Sequence, residues 1–348
     1  MTEDLLRPGT ELAGYRVERF VARGGMGAVY EATQLSLDRR VALKFVSGGL
    51  GADERFRERF RREARSAAAI DHAHILPVYE AGELPDGRLF LAMRFVDGPD
   101  LSSLLKEQGP LDVEHAVFVL TQIGEALDAA HKQGLVHRDV KPANVMLEAR
   151  ESGWHAYLTD FGLAKPDEQA GEHTAPGEML GTIDYMAPEQ INGQTLDGRA
   201  DVYSFGCMVY RCLTDELPYR RDTRTATIVA HANAPIPLPS RVIAGLPAPL
   251  DVVVRRAMEK DPDRRARSAG ALMRWASTQL HTAPASVPSI TDESPTEDTI
   301  VRTPRAPSEP PPPPLPSPAR WSLLGATLLN VAAYVPVWVA GYLIGSHL

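Results

Sequence analysis

The sequence predicts an α+β chain of two lobes, an antiparallel-sheet N-lobe and a mostly helical C-lobe, followed by a disordered linker and one C-terminal transmembrane helix. Three observations carry this. Short β-branched and aromatic runs around Gly-rich turns fill the text up to about residue 95, and helical periodicities dominate after it. Near residue 281 the composition changes abruptly, first to proline-rich and then to mostly apolar text without Asp, Glu, Lys or Arg. The 348 residues exceed the needs of one ordinary domain, and 44% apolar against 24% charged residues excludes a wholly disordered or collagen-like chain.

Taken in order, residues 15–20, 28–33, 40–46, 75–81 and 89–95 read as strands of one antiparallel sheet. One helix interrupts them, with Phe56, Phe60, Glu63, Ala64 and Ala67 sharing a face at three- and four-residue spacing; the acid is the odd member. From Asp112 to Gln133 the positions Val113, Val117, Leu120, Ile123, Leu127 and Ala130 again follow a helical period, with Gly134 as a stop. Residues 1–96 are thus assigned to the N-lobe and 97–281 to the C-lobe. Cys207 and Cys212 are too few and too poorly placed for a disulfide framework or a zinc site, and read as buried small hydrophobes in a reducing cytosol.

Residues 282–319 hold 12 prolines, including Pro310 to Pro314, and cannot bury enough apolar surface to order themselves; they are expected to be a linker. Residues 320–345 are expected to span a membrane, since no Asp, Glu, Lys or Arg occurs from Trp321 to Leu348 and ~20 apolar residues suffice to cross a bilayer. A buried core helix is the alternative. The start of the chain lacks a basic stretch followed by an apolar run, so no signal peptide is expected. Arg305 and Arg320 before the span keep the N-terminal part cytoplasmic, leaving only residues 346–348 outside. Gly341 and Gly345 form a small-xxx-small pair that would let two spans pack as a homodimer, a pattern also common by chance. With 45 acids against 37 Lys and Arg, and a net charge of -8, nucleic acid is not expected as a partner.

Chemistry concentrates in a few motifs. Gly24, Gly25 and Gly27 lie between the first two strands, where missing side chains would let backbone N–H groups approach phosphates; a plain hairpin turn explains them as well. Lys44 sits on a strand with apolar neighbours and is costly there unless paired, and Glu63 is the available partner; a surface lysine and a surface glutamate are the alternative. Then comes His137-Arg138-Asp139-Val140-Lys141-Pro142-Ala143-Asn144, with Asp160-Phe161-Gly162 sixteen residues past the Asn. Between them a short hairpin would set Asn144 and Asp160 side by side, a hard-oxygen pair suited to Mg²⁺ carrying nucleotide phosphates. Met186-Ala187-Pro188-Glu189 closes the segment that Asp160 opens.

This ordered set resembles the protein kinases, and the Gly24 to Tyr30 text is similar to that of the bacterial membrane-bound Ser/Thr kinases. The resemblance covers residues 12–275 and implies a bilobal protein kinase fold that moves the γ-phosphoryl group of ATP, carried by Mg²⁺, to serine or threonine hydroxyls of protein substrates. It implies that Lys44, oriented by Glu63, holds the α- and β-phosphates, that Gly24, Gly25 and Gly27 cover them, and that Asn144 and Asp160 hold Mg²⁺. Asp139 would take or orient the hydroxyl proton, and Lys141 would contact the γ-phosphate as in the serine/threonine branch. Val21, Val29 and Ala42 would belong to the ATP-binding site. Met93 would act as gatekeeper, with core packing as its other reading, and the backbones of Arg94 and Val96 would face adenine. Glu189 is expected to pair with Arg265, and Asp201 to brace the catalytic loop. Thr174 is expected to be autophosphorylated and to order its segment through Arg138, with Thr182 as second candidate and shaper of the acceptor site.

Two positions depart from the family: Ala22 stands where the first loop glycine is usual, and Arg94 where an acid is common. The acidic stretch Thr291 to Thr299 could carry further phosphosites, although a solvated tether explains it equally. A pseudokinase scaffold and a small-molecule kinase are the competing functions. The complete set Lys44, Asp139, Asn144 and Asp160 speaks against the first, and the activation segment through Glu189 against the second.

Overall fold

Alternating apolar and polar residues build the N-lobe sheet. A computed structural model describes residues 6–24, 27–46, 53–161 and 183–282. Six strands, β1 (Glu11–Leu12), β2 (Tyr15–Gly24), β3 (Gly27–Gln34), β4 (Arg39–Val46), β5 (Val78–Glu83) and β6 (Leu89–Arg94), pair antiparallel in the order β1-β2-β3-β4-β6-β5. Side chains alternate across a strand. Val41, Leu43 and Phe45 of β4 therefore join Tyr15, Val17, Tyr30 and Phe90 in one buried cluster, while Ala42 and Lys44 point to the other face.

Helix α1 (Glu54–Ala68) follows β4, capped by Asp53, whose carboxylate accepts the Arg55 N–H at 3.0 Å. Its Phe56, Phe60 and Ala64 pack on Leu89, Leu91 and Met93. Each buried phenylalanine contributes about 1.5–3 kcal/mol, so this apolar stripe fixes the helix to the sheet. Glu63 lies beside the stripe, at its margin.

The strand expected over residues 75–81 begins later, at Val78. Ile75 forms a parallel bridge with Leu158, the Leu76 N–H donates to the Leu158 carbonyl at 3.0 Å, and Pro77 has no N–H to offer the ladder. Residues 74–76 are thereby bonded to the hairpin of the C-lobe.

The C-lobe contains α2 (Leu101–Gln108), α3 (Val113–Lys132), the hairpin β7 (Val145–Arg150) and β8 (Gly153–Leu158), α4 (Pro188–Ile191), α5 (Gly198–Thr214), α6 (Arg224–Asn233), α7 (Ala248–Ala257) and α8 (Ala269–Thr282). The helix read between Asp112 and Gln133 is α3, with these two residues as its caps. Gly124 of α3 and Gly270 of α8 meet backbone to backbone; a Cβ on Gly124 would lie 2.8 Å from the Gly270 nitrogen. Cys207 and Cys212 are buried unpaired thiols in α5, and burial raises the pKa of both.

Among the described residues no helix is long and apolar enough to cross a membrane. The expected linker 282–319 from Ala283 onward, the expected span 320–345, Gly341 and Gly345 all lie outside the described residues, as do Gly25, Thr174 and Thr182.

Candidate active site

The hairpin β7–β8 carries the centre of the site. Its ladder begins with Val145 opposite Leu158 and is extended by the Thr159 N–H, which donates to the Asn144 carbonyl at 2.9 Å. Asn144 and Asp160 thus flank its open end.

Two residues nearby adopt left-handed backbone, Arg138 at φ +64° and Asp160 at φ +60°. For non-glycine residues this costs about 1–3 kcal/mol and persists only where surroundings enforce it. Asp201, fully buried in α5, supplies the enforcement at Arg138: its two carboxylate oxygens accept the His137 and Arg138 N–H groups, each at 2.7 Å. It therefore holds the loop as expected. His137 joins the loop to the hairpin. Its Nδ1 accepts the Asp139 N–H at 3.2 Å, so its proton sits on Nε2, which donates to the Thr159 carbonyl at 2.7 Å. Burial lowers its pKa, against the pull of Asp201 and Asp139, and keeps the ring neutral. The imidazole packs 4.7 Å from the Phe161 ring. No spacing rule assigned His137 this task, since its partners are carbonyls and amides rather than charged side chains.

Asp139 is buried between two donors. Lys141 Nζ lies 2.9 Å from its Oδ2, and Asn144 Nδ2 donates to the same oxygen at 3.0 Å and to the Asp139 carbonyl at 2.7 Å. Both donors orient the carboxylate, and the Asn144 amide nitrogen spends both of these bonds on Asp139. Lys44 reaches Asp160 from the sheet, Nζ to Oδ1 at 2.7 Å.

One expectation is corrected here. Glu63 does not pair with Lys44: its Oε1 lies 3.7 Å from Arg138 Nη1, and the lysine is taken by Asp160. Two carboxylates compete for one ammonium, and the left-handed turn at Asp160 brings that carboxylate to hydrogen-bonding distance.

On the sheet face that bears Lys44, cross-strand pairs place Val29 opposite Lys44 and Ala42 opposite Met93. Gly24 pairs with Gly27, which takes φ +142°, and Ala22 pairs with Val29. Val21 is exposed. Met93 and Val96 are buried in the cluster of α1 and the sheet, so Met93 does serve as core. The Arg94 N–H is engaged by the Pro77 carbonyl at 3.0 Å. Further out, Glu189 and Arg265 form the expected buried pair, with Nη2 to Oε2 at 2.9 Å.

The protein kinase domain family profile matches residues 15–274. The chain is 44% identical over 279 residues to the serine/threonine-protein kinase PknE of Mycobacterium tuberculosis, covering 80% of this chain and 48% of the relative. It is 40% identical over 314 residues to PknH of the same species, covering 90% and 48%. The chain therefore spans about half the length of these curated relatives. A crystal structure of the Mycobacterium tuberculosis PknI kinase domain superposes with a TM-score of 0.64 at 33% identity, covering 79% of this chain and 100% of that one. With the bilobal architecture and the ordered motifs, these matches establish that the chain belongs to the protein kinase family.

Proposed function

We propose that the protein is a serine/threonine protein kinase that moves the γ-phosphoryl group of ATP to hydroxyls of protein substrates. One observation carries the reading: Lys44 of the N-lobe meets Asp160, Asp139 meets Lys141 and Asn144, and the Thr159 N–H bonded to the Asn144 carbonyl sets the two groups side by side. In a loose phosphoryl-transfer transition state the protein mainly positions reactants and neutralises charge. The Lys44 ammonium serves the α- and β-phosphates, and the loop from Gly24 through Gly25 to Gly27 covers them. Val21, Val29, Ala42, Met93 and the backbones of Arg94 and Val96 take the adenine end.

Asp139, oriented by Lys141 and Asn144, faces the acceptor hydroxyl. The hydroxyl oxygen bonds the γ-phosphorus as the bond from that phosphorus to the β–γ bridging oxygen breaks. ADP leaves with the bridging oxygen, and the hydroxyl proton passes to Asp139. Lys141 stabilises charge on the transferred group. Asn144 and Asp160 present hard oxygen donors that suit a divalent cation, which when bound would neutralise phosphate charge. Lys141, and Thr182 after Gly181, favour serine or threonine as acceptor. Arg138 would receive a phosphate on Thr174 or Thr182 and so couple autophosphorylation to Glu63 and α1. A linker over 282–319 and a span over 320–345 would hold the kinase at the cytoplasmic face of a membrane.

The test is phosphoamino-acid analysis of a protein substrate after incubation with radiolabelled ATP and Mg²⁺. Label on phosphoserine or phosphothreonine is expected. Label confined to phosphotyrosine, or to a small molecule, would overturn the assignment.

A further inference from the structure

Arg94 ends β6, the strand proposed to lead to adenine, and its side chain crosses to the other lobe. One terminal nitrogen, Nη2, straddles the Glu148 carboxylate, 3.0 Å from Oε1 and 3.3 Å from Oε2. The guanidinium carbon stands 5.0 Å from the centroid of the buried Tyr157 ring. Glu148 is on β7, four residues after Asn144, and Tyr157 is on β8, three before Asp160. Arg150 closes the network, donating to Glu148 Oε2 at 2.8 Å and to the Tyr157 hydroxyl at 2.9 Å. Burial alone would raise the Glu148 pKa, but the two arginines outweigh it and hold the carboxyl below its usual range, so the pair is charged near neutral pH.

The chain just beyond residues 94–96, the adenine-facing hinge between the lobes, is fastened to the same hairpin through its backbone. The Leu147 N–H donates to the Pro99 carbonyl at 2.9 Å, Asp100 bridges Met146, and Gly98 is so close that a Cβ there would lie 1.9 Å from the Leu147 carbonyl oxygen. Residues 95–97 are therefore bracketed, by the Arg94 side chain on one side and by residues 98–100 on the other. Both fastenings are to the hairpin whose open end carries Asn144 and Asp160.

We infer that Arg94 and Glu148 form a positioning clamp, which holds the adenine-facing backbone of residues 94–96 in register with Asn144 and Asp160. The two ends of the nucleotide then meet one preorganised site instead of two that drift relative to each other. The inference rests on the ATP-site reading above.

A ligand that touches both ends needs the clamp, and one that touches only the hinge does not. Binding of MgADP and of adenosine to the purified full chain separates the cases. In Glu148→Gln, MgADP affinity should fall about three- to tenfold while adenosine affinity and kcat at saturating ATP stay within about twofold. Arg150→Ala, which leaves the Arg94 contact in place, should bind MgADP like the wild type. Exchanging the charges, Arg94→Glu with Glu148→Arg, should recover most of the loss. Unchanged MgADP binding in Glu148→Gln, or an equal loss for adenosine, would overturn the clamp while leaving the ATP-site reading intact. Wild-type protein that fails to bind MgADP would overturn both.

Discussion

Across 116 residues of chain, the Lys44 ammonium reaches a carboxylate oxygen of Asp160 at 2.7 Å. The contact ties the N-lobe sheet to the end of the C-lobe hairpin, and it leaves Glu63 opposite Arg138 at 3.7 Å. Double-mutant cycles in thermal unfolding should reflect this partition. Lys44→Met with Asp160→Asn should couple by about 1 kcal/mol, and Glu63→Gln with Arg138→Gln by about 0.5 kcal/mol. Lys44→Met with Glu63→Gln should be additive; coupling there as strong as with Asp160 would contradict the arrangement.

The Glu189–Arg265 pair is buried, and Arg265 also donates to the Arg199 carbonyl at 2.7 Å and the Glu259 carbonyl at 2.8 Å. Removing one partner strands the other charge without water. Glu189→Gln or Arg265→Met should each cost about 3–5 kcal/mol in chemical denaturation. A loss below about 1 kcal/mol would mean that the pair is solvated in solution.

Helices α3 and α8 approach closely only because Gly124 and Gly270 lack side chains. Gly124→Ala should destabilise by about 1–3 kcal/mol despite the better helix propensity of alanine. Gly109→Ala is a control with no such contact, because a Cβ there meets nothing within 4 Å and any cost comes from its backbone at φ +80°. A melting temperature raised by Gly124→Ala would refute the tight crossing.

His231 is buried beside Lys260, and burial followed by that cation pushes its pKa down to about 3. His137 is shifted the same way by burial. The unfolded chain takes up protons on both rings near pH 6.5, whereas the folded chain does not. Stability is therefore full above that pH and falls as pH drops below it, for His231 by about 1.4 kcal/mol per pH unit down to about pH 3, with His137 acting in the same direction. His231→Gln should reduce the slope of stability between about pH 6 and 4 by that amount. An unchanged slope would show that the ring takes up its proton in the folded state.

Local features were legible in the sequence, and long-range choices of partner were not. β-Branched and aromatic runs around Gly-rich turns located β3 and β4 to within a residue or two, and Asp112 with Gln133 bounded α3, because turns and caps depend on near neighbours. Ile75 and Leu76 look like strand, yet the His74 carbonyl and the Leu76 N–H on either side of Ile75 bond Leu158 of β8, 82–84 residues away, a partner that no local pattern announces. Lys44 and Glu63 were the charges to pair at short range, yet Asp160 captured the lysine. For Arg94 only the backbone carried an expectation, while its side chain found Glu148, 54 residues on. In the site itself, residue types and spacing pointed to Asn144 and Asp160, the resemblance to the kinases implied Asp139, Lys141 and the brace Asp201, and the part of His137, which ties the loop to the Thr159 carbonyl, became clear only with the lobe folded around it.

The central claim is that Lys44 and Asp139 serve one phosphoryl transfer, and transfer of radiolabel from ATP to a serine- and threonine-bearing protein measures it most directly. Wild-type protein should incorporate label in the presence of Mg²⁺, while Lys44→Met and Asp139→Asn, each with an unchanged fold by circular dichroism, should lose about two to four orders of magnitude in rate. Equal incorporation by all three would contradict the account.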